Sequence, residues 1–145
     1  METALVTHYQ EALAQMNAGQ KERAAALFSA IVEAHPDWEH GLALHNLAGC
    51  LEDLGDLKSA EQCYQRAIQF GPGNPILWGG YASFLFLHGE PERAFEAHLR
   101  LLKIERAARP DPSEEAIQAV TLALKTLADR LSMSPRELSM RIDRT

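Results

Sequence analysis

The hexapeptide Gly55-Asp-Leu-Lys-Ser-Ala60 decides the fold of this chain, because closely similar phrases stand before and after it. Gly19-Gln-Lys-Glu-Arg-Ala24 starts 36 residues earlier, and Gly89-Glu-Pro-Glu-Arg-Ala94 starts 34 residues later. In each copy the glycine precedes the alanine by five residues. Three copies at nearly constant spacing indicate a structural repeat, since stacked repeat units have periods of roughly 20–50 residues.

Each copy predicts a pair of helices that run antiparallel. A stretch with apolar residues at helical spacing ends at the glycine, which can adopt the left-handed conformation that closes a last helical turn. In the second helix a small alanine allows the two helices to approach closely. One turn later stands a ring that fills the space beside the alanine: Phe28, Tyr64 and His98 in the three copies. Pro36 and Pro72 end the second helix of the first two copies.

The repeated pattern resembles the tetratricopeptide repeat family, whose unit of about 34 residues carries Trp, Leu-Gly, Tyr, Ala, Phe and Pro at fixed positions. The second copy meets this pattern with Leu44, Leu47, Ala48, Leu51, Ala60, Tyr64, Ala67 and Pro72. The third copy meets it with Trp78, Tyr81, Ala82, Leu85 and Ala94. The resemblance covers about residues 5–108. It implies an all-α fold, a right-handed superhelical stack of antiparallel helical hairpins, with repeats at about 5–38, 41–74 and 75–108.

Two capping helices are expected after the repeats, within a single domain of residues 1–145. The pair Asp111–Glu114 has capping-box spacing and predicts a helix over about 112–131. This helix carries an apolar stripe that seals the last repeat: Ile117, Val120, Leu124, Leu127 and Leu131. The pair Ser134–Glu137 repeats the spacing and predicts a short helix over about 135–142.

Composition and motifs exclude several classes of function. The net charge of −6 opposes bulk binding to nucleic acid or anionic lipid, and the longest apolar stretch, 12 residues, is too short to span a bilayer. The N-terminus has no basic, apolar leader, so a cytoplasmic protein is expected. Two cysteines, Cys50 and Cys63, fit buried and reduced thiols.

Catalytic signatures are missing from the sequence. It contains no Gly-x-Ser-x-Gly, no His-Glu-x-x-His, no phosphate-binding glycine loop and no dinucleotide fingerprint. The six histidines form no pair of metal-ligand spacing beside a carboxylate, so neither a metal nor a cofactor is expected. We therefore expect a non-catalytic adaptor or scaffold that binds another polypeptide.

The binding surface implied by the resemblance is the concave groove lined by the first helix of each hairpin. The inward-facing residues would be Val6, Tyr9, Leu13 and Met16 from the first copy, Leu42, His45, Asn46, Gly49 and Glu52 from the second, and Ile76, Gly79, Gly80, Ser83 and Phe86 from the third. Two adjacent glycines inside a helix cost about 2 kcal/mol relative to alanine. Either a close-approach site explains Gly79 and Gly80, or the helix starts only at Tyr81.

One specific ligand can be tested against these positions. Tetratricopeptide co-chaperones hold the acidic C-terminal tails of heat-shock chaperones with a clamp of basic residues and asparagine. The corresponding residues here are Tyr9, Leu13, Asn46, Ile76 and Gly80. Only the asparagine matches, and without a cation to pair the tail carboxylate we expect no such ligand. An extended or helical peptide with apolar anchors fits better, with basic character to suit Glu52 and Asp53.

Two alternatives concern the C-terminal residues. Leu127–Ile142 resembles a bacterial helix-turn-helix, with Ser132 in the turn and with Arg136 and Arg141 directed toward DNA. A transcription-related DNA-binding function would then lie in residues 122–142. The other alternative is a structural scaffold that forms a homodimer through the groove or through an exposed apolar stripe of the helix at about 113–131.

Overall fold

A computed structural model describes residues 2–145, and its regular structure is entirely helical over that range. The α-helices are α1 (Glu2–Asn17), α2 (Lys21–Ala34), α3 (Leu42–Asp53), α4 (Leu57–Phe70), α5 (Pro75–His88), α6 (Pro91–Arg106), α7 (Glu114–Arg130) and α8 (Pro135–Asp143). The all-α prediction is confirmed. The chain divides into two compact units, which we call the N-terminal unit (up to Pro72) and the C-terminal unit (from Gly73). None of the helices described has the length and apolar character needed to cross a bilayer.

The N-terminal unit consists of two stacked helical hairpins. α1 packs on α2, α2 on α3, and α3 on α4. Ala24 and Ala60 are fully buried, as expected of the small residues that let the helices of a hairpin approach. The rings of Phe28 and Tyr64 are buried one turn later. The prediction that a small alanine and a buried ring pack side by side in each hairpin is confirmed. This buried seam fixes the directions in which α1 and α3 present their remaining faces.

The glycines that end the first helices act in two different ways. Gly19 and Gly55 have φ of +78° and +85°, which confirms the predicted left-handed closure of α1 and α3. Gly89 is extended instead, with φ −96° and ψ −179°, so the same prediction is wrong at the end of α5. A glycine is needed there because a Cβ would lie 2.9 Å from the carbonyl oxygen of Leu85.

The turn Trp38–Gly41, between the two hairpins, has a left-handed backbone at three successive residues. Glu39 and His40 have φ of 50° and 53°, and Gly41 has φ of 97°. A Cβ at Gly41 would lie 2.6 Å from the carbonyl oxygen of Ala67, so only glycine allows the turn to approach α4 this closely. The backbone strain of this conformation, about 1 kcal/mol or more for each non-glycine residue, is therefore held by packing against α4.

In the C-terminal unit, α5 packs on α6 and α6 packs on α7. The predicted apolar stripe of α7 faces inward, with Val120, Leu124 and Leu127 buried. The middle of the stripe is therefore covered within the unit, whereas Ile117 and Leu131 at its two ends are half-buried.

The start of α7 differs from the prediction. Ser113, not Asp111, is the N-cap, and its hydroxyl accepts a hydrogen bond from the backbone N–H of Ala116 at 3.2 Å. The helix begins two residues later than 112, where Glu114 and Glu115 place two carboxylates beside the unpaired amides of the first turn. The predicted capping box at Asp111 is therefore wrong.

α8 is held on α6 by polar contacts. Ser134 caps it as predicted, accepting from the N–H of Glu137 at 3.1 Å. Arg141 forms an ion pair with Glu96. Its guanidinium also stacks 4.8 Å from the ring centroid of Phe95. These contacts attach α8 to α6 at the surface, since none of the residues of α8 is buried.

Candidate functional site

In the N-terminal unit, the structure brings predicted groove residues of α1 and α3 together. The side-chain amide of Asn46 donates to the hydroxyl oxygen of Tyr9 at 3.1 Å. The Tyr9 ring meets Phe28 and Trp38 edge to face, with centroid distances of 5.9 and 6.4 Å. Burial raises the pKa of Tyr9, and the nearby charge of Glu39 acts in the same direction. The hydroxyl is therefore a neutral hydrogen-bonding group at neutral pH.

A second polar cluster joins α3 and α4. The Tyr64 hydroxyl donates to Glu52 at 2.9 Å, and its ring meets His45 with a centroid distance of 5.8 Å. Burial and the Glu52 carboxylate both raise the pKa of Tyr64. Gly49 leaves room beside this hydroxyl, since a Cβ there would come no closer than 3.9 Å. The sequence assigned Tyr64 to packing alone, although its hydroxyl distinguishes it from the phenylalanine of the family pattern.

Two buried polar atoms in the N-terminal unit lack a hydrogen-bond partner within the described residues. They are Nε1 of Trp38 and Nδ1 of His45. Each ring belongs to one of the clusters above, Trp38 beside Tyr9 and His45 beside Tyr64. Burial lowers the pKa of His45, which keeps its imidazole neutral.

The C-terminal unit contains a pocket of about 390 Å³ between α5 and α7, with α6 as its floor. It is lined by Gly79, Ser83, Phe86 and Leu87 of α5, His98 and Leu101 of α6, and Ala119, Val120 and Ala123 of α7. The lining is mainly apolar. The small residues at 79, 83, 119 and 123 leave unfilled space between the two walls.

Gly79 faces open space in this wall. A Cβ at this position would meet nothing within 4 Å. The helix does not start late at Tyr81, because α5 begins at Pro75 and Asn74 caps it by accepting from the N–H of Ile76 at 2.9 Å. Both glycines therefore lie inside the helix despite their low helix propensity, which a favourable cap and a first-turn proline offset.

His98 forms the floor of the pocket and is only 5% exposed. Its Nδ1 lies 2.7 Å from the carbonyl oxygen of Ala94. Because a carbonyl can only accept, Nδ1 carries the proton and Nε2 keeps a lone pair. Burial lowers the pKa of His98, so the imidazole is neutral at pH 7.

One wall of the pocket is held in place by an arginine. The Phe86 ring meets the His98 ring with a centroid distance of 6.0 Å. The guanidinium of Arg130 stacks on the Phe86 ring at 4.6 Å from its centroid and donates to the Phe86 carbonyl oxygen at 3.3 Å. These contacts tie the end of α7 to α5 and orient the aromatic wall.

The remaining predicted groove residues lie outside this pocket. Ile76 is 57% exposed and Val6 is 40% exposed. Four others are half-buried: Leu13, Met16, Leu42 and Gly80. The sequence missed the contribution of α7, because Ala119 and Ala123 carry no motif. It also missed Leu87, which lines the pocket and is 67% exposed.

A larger depression of about 690 Å³ lies on another face of α5 and α6. It is rich in charge, but two of its arginines already interact with aromatic residues of α5. Arg93 donates to the Tyr81 hydroxyl at 2.9 Å, and Arg100 stacks 5.8 Å from the Trp78 ring centroid. The ring of Tyr81 is buried in this lining, and its hydroxyl is already engaged by Arg93.

The sequence profile described as tetratricopeptide repeat matches residues 9–75. These residues therefore carry the sequence pattern of that family. The match covers the first two predicted copies, in which the glycine, alanine and ring positions are placed as the family pattern implies.

Solved structures with the tetratricopeptide repeat fold resemble most of this chain, with coverages of 88% to 92%, while no curated protein sequence matches it. The Yersinia enterocolitica chaperone SycD in complex with a YopD peptide has a TM-score of 0.77 at 18% identity, covering 89% of this chain and 95% of that chain. PcrH, known from Pseudomonas aeruginosa, in complex with the chaperone binding region of PopD has 0.79 at 19%, with coverages of 90% and 96%. The first tetratricopeptide repeat domain of Spaghetti, bound to an HSP90 peptide, has 0.71 at 16%, with coverages of 88% and 95%. At these identities the likeness shows a shared fold.

The helix-turn-helix interpretation of the C-terminal residues finds limited support beside this repeat fold. Ser132 has φ of +53°, as expected in the turn position. Arg136 is exposed, but Arg141 is engaged by Glu96 and Phe95 on α6. Because α8 is bound to its own unit through this arginine, it does not present the predicted pair of free arginines.

Potential metal ligands are not clustered in the described part of the chain. Residues 2–145 contain no group of three or more His, Cys, Asp or Glu side chains arranged to hold a metal ion.

Cys50 and Cys63 are buried, free thiols whose pKa values are raised by burial, in agreement with the structural role expected for them.

Proposed function

We propose that this protein is a non-catalytic adaptor or chaperone that binds a peptide segment of another protein, anchored in the pocket between α5 and α7. One observation carries the proposal: Gly79 sits inside a helix, where glycine is unfavourable, and its missing side chain opens a mainly apolar pocket of about 390 Å³. Apolar pockets with few polar groups are the usual sites for anchoring residues.

The structural neighbours support a peptide as the ligand. SycD is known in complex with a peptide of the translocator YopD, PcrH with the chaperone binding region of PopD, and Spaghetti with an HSP90 peptide. The same fold therefore captures short segments in three other proteins. For this chain we propose a polypeptide partner in the cytoplasm of a bacterium.

The cluster around Tyr9 is a second contact surface for the same class of ligand. Val6 is exposed beside it along α1, and Glu39 supplies negative charge near the Tyr9 hydroxyl. A peptide with apolar anchors and basic flanking residues suits this surface. An acidic heat-shock tail suits it poorly, because the Asn46 amide already donates to Tyr9 and the other clamp positions carry no cation.

Peptide selection tests the proposal even though the partner is unidentified. Peptides enriched from a random display library on the wild-type protein are titrated by fluorescence anisotropy against two variants. Gly79→Leu fills the pocket and should weaken binding about 10- to 100-fold, as expected when one apolar anchor loses its burial. Gly73→Leu is the matched control, because its Cβ also meets nothing within 4 Å but it lies outside the pocket.

Equal affinity of the wild type and Gly79→Leu for every selected peptide would contradict the proposed site. Retained folding of both variants is checked by circular dichroism. Homodimer formation stays a prediction, which light scattering coupled to size-exclusion chromatography tests on the same samples.

A further inference from the structure

We propose that the pocket between α5 and α7 accepts an aromatic side chain with a hydrogen-bond donor, the tyrosine hydroxyl or the tryptophan indole N–H of a partner. Nε2 of His98 would accept that hydrogen bond. This inference rests on the proposed function, because it names the class of anchoring residue that the same pocket takes.

The ring position of the repeat shows why His98 is unusual. In the first repeat this position holds Phe28, which is fully buried and has no polar atom to satisfy. In the second repeat it holds Tyr64, whose hydroxyl donates to Glu52 at 2.9 Å. In the third copy His98 is equally buried, but only its Nδ1 has a hydrogen-bond partner, the Ala94 carbonyl oxygen at 2.7 Å.

His98 belongs to the lining of an open pocket, and its Nε2 carries a lone pair that can accept a hydrogen bond. Both α5 and α7 offer mainly small or apolar side chains around it, among them Gly79, Phe86 and Ala123. An occupant that fills the pocket removes water from this nitrogen, and a buried acceptor left without a donor costs about 1–3 kcal/mol. An occupant that supplies a donor is therefore preferred over one of the same shape that does not.

The chemistry of the walls selects the kind of donor. A lysine or arginine would bring a full charge into an apolar pocket, where desolvation is expensive. A carboxylate offers no proton to a lone pair. Tyrosine and tryptophan combine a large apolar ring with a single donor at its edge. The Phe86 ring, held by Arg130 at 4.6 Å, provides an aromatic wall against which such a ring can pack.

Side-chain analogues test this inference directly on the full chain. ¹⁵N-labelled protein is titrated with p-cresol, 3-methylindole and toluene, and the amide shifts of Gly79, Ser83 and Ala123 are followed. Either donor-bearing probe should bind about fivefold more tightly than toluene, the effect of one neutral hydrogen bond. Which of p-cresol and 3-methylindole binds more tightly then distinguishes tyrosine from tryptophan as the natural anchor.

Two controls connect the preference to the proposed acceptor. His98→Phe places the ring found at Phe28 in the third repeat, and it should reduce the preference over toluene to less than twofold. In the wild type, the imidazole ¹⁵N resonance of Nε2 should move when p-cresol binds, which needs no variant. Gly79→Leu should abolish the binding of all three probes.

Toluene binding as tightly as p-cresol, an unchanged preference in His98→Phe, or no probe binding at the pocket amides would each overturn this inference. These outcomes leave the proposed function testable on its own terms. If Gly79→Leu still weakens the binding of selected peptides, the proposed peptide site is retained and only the donor-bearing anchor is contradicted. If Gly79→Leu binds those peptides as tightly as the wild type, the proposed site is contradicted as well.

Discussion

Glycine has three different physical roles in this chain, and they predict different responses to the same substitution. At Gly55 the backbone is left-handed, at Gly41 a neighbouring carbonyl leaves no room for a Cβ, and at Gly79 neither constraint exists. The third case is the informative one. When neither the backbone conformation nor a close neighbour requires glycine inside a helix, we infer that the absence of a side chain serves to leave space beside the helix.

Replacement of Gly79 and Gly55 by alanine should change stability in opposite directions. Gly79→Ala should raise the free energy of unfolding by about 1 kcal/mol, because alanine is the better helix former. Gly55→Ala should lower it by about 1 kcal/mol, because φ of +85° is unfavourable for a residue with a Cβ. Urea denaturation of both variants measures the two values. Destabilisation by Gly79→Ala would mean that the methyl group of the new alanine does not point into open space.

His98 predicts how stability depends on pH. Its pKa in the fold is lowered below the ordinary 6.5 by burial, so the unfolded chain binds the proton more readily. The free energy of unfolding should therefore be highest above about pH 6.5 and should fall as the pH drops through the range below it. His98→Phe should reduce this fall, and His45, whose pKa is also lowered, should account for part of the remainder. Urea titrations at several pH values measure the slopes; identical slopes for the two proteins would contradict this.

The helix ends show how far the sequence determines each element. The repeat phase predicted Ala24, Ala60 and Ala94 as buried contacts, because spacing alone places them between paired helices. The N-cap of α7 was assigned wrongly, because Asp111 and Ser113 are both good capping residues and the local sequence contains nothing that ranks them.

Alanine substitution at these two positions separates the alternatives. Ser113→Ala should lower the free energy of unfolding by about 1 kcal/mol, since the Ala116 N–H loses its acceptor. Asp111→Ala should change it by less than about 0.5 kcal/mol, as is usual for exposed positions. Thermal unfolding of both variants is the measurement. The reverse order of effects would restore the capping box at Asp111.

On the scale of the whole molecule, charge is divided unequally between the two units. The residues up to Pro72 include 10 acidic and 4 basic side chains, whereas those from Gly73 onward include 10 of each. The pocket between α5 and α7 thus lies in the electrically balanced unit. Its affinity for an apolar anchor should depend little on salt, whereas contacts of a basic segment with the N-terminal unit should weaken as salt screens them.

The candidate site was only partly predictable from the sequence, because one of its walls depends on how distant helices pack. Gly79, Ser83 and Phe86 follow from the repeat phase, which assigns a face to every residue of α5. The opposite wall depends on how α7 is placed, and its alanines form no pattern that indicates this. The free Nε2 of His98 depends on which ring atom meets the Ala94 carbonyl, a detail of packing that no sequence pattern contains.

The most direct test of the central claim maps a selected peptide onto the ¹⁵N-labelled full chain by amide chemical shifts. The pocket in the C-terminal unit predicts saturable shifts at Gly79, Ser83, Ala119 and Ala123 that disappear in Gly79→Leu and persist in Gly73→Leu. Shifts confined to the N-terminal unit, unchanged by Gly79→Leu, would contradict the claim that this pocket anchors the partner.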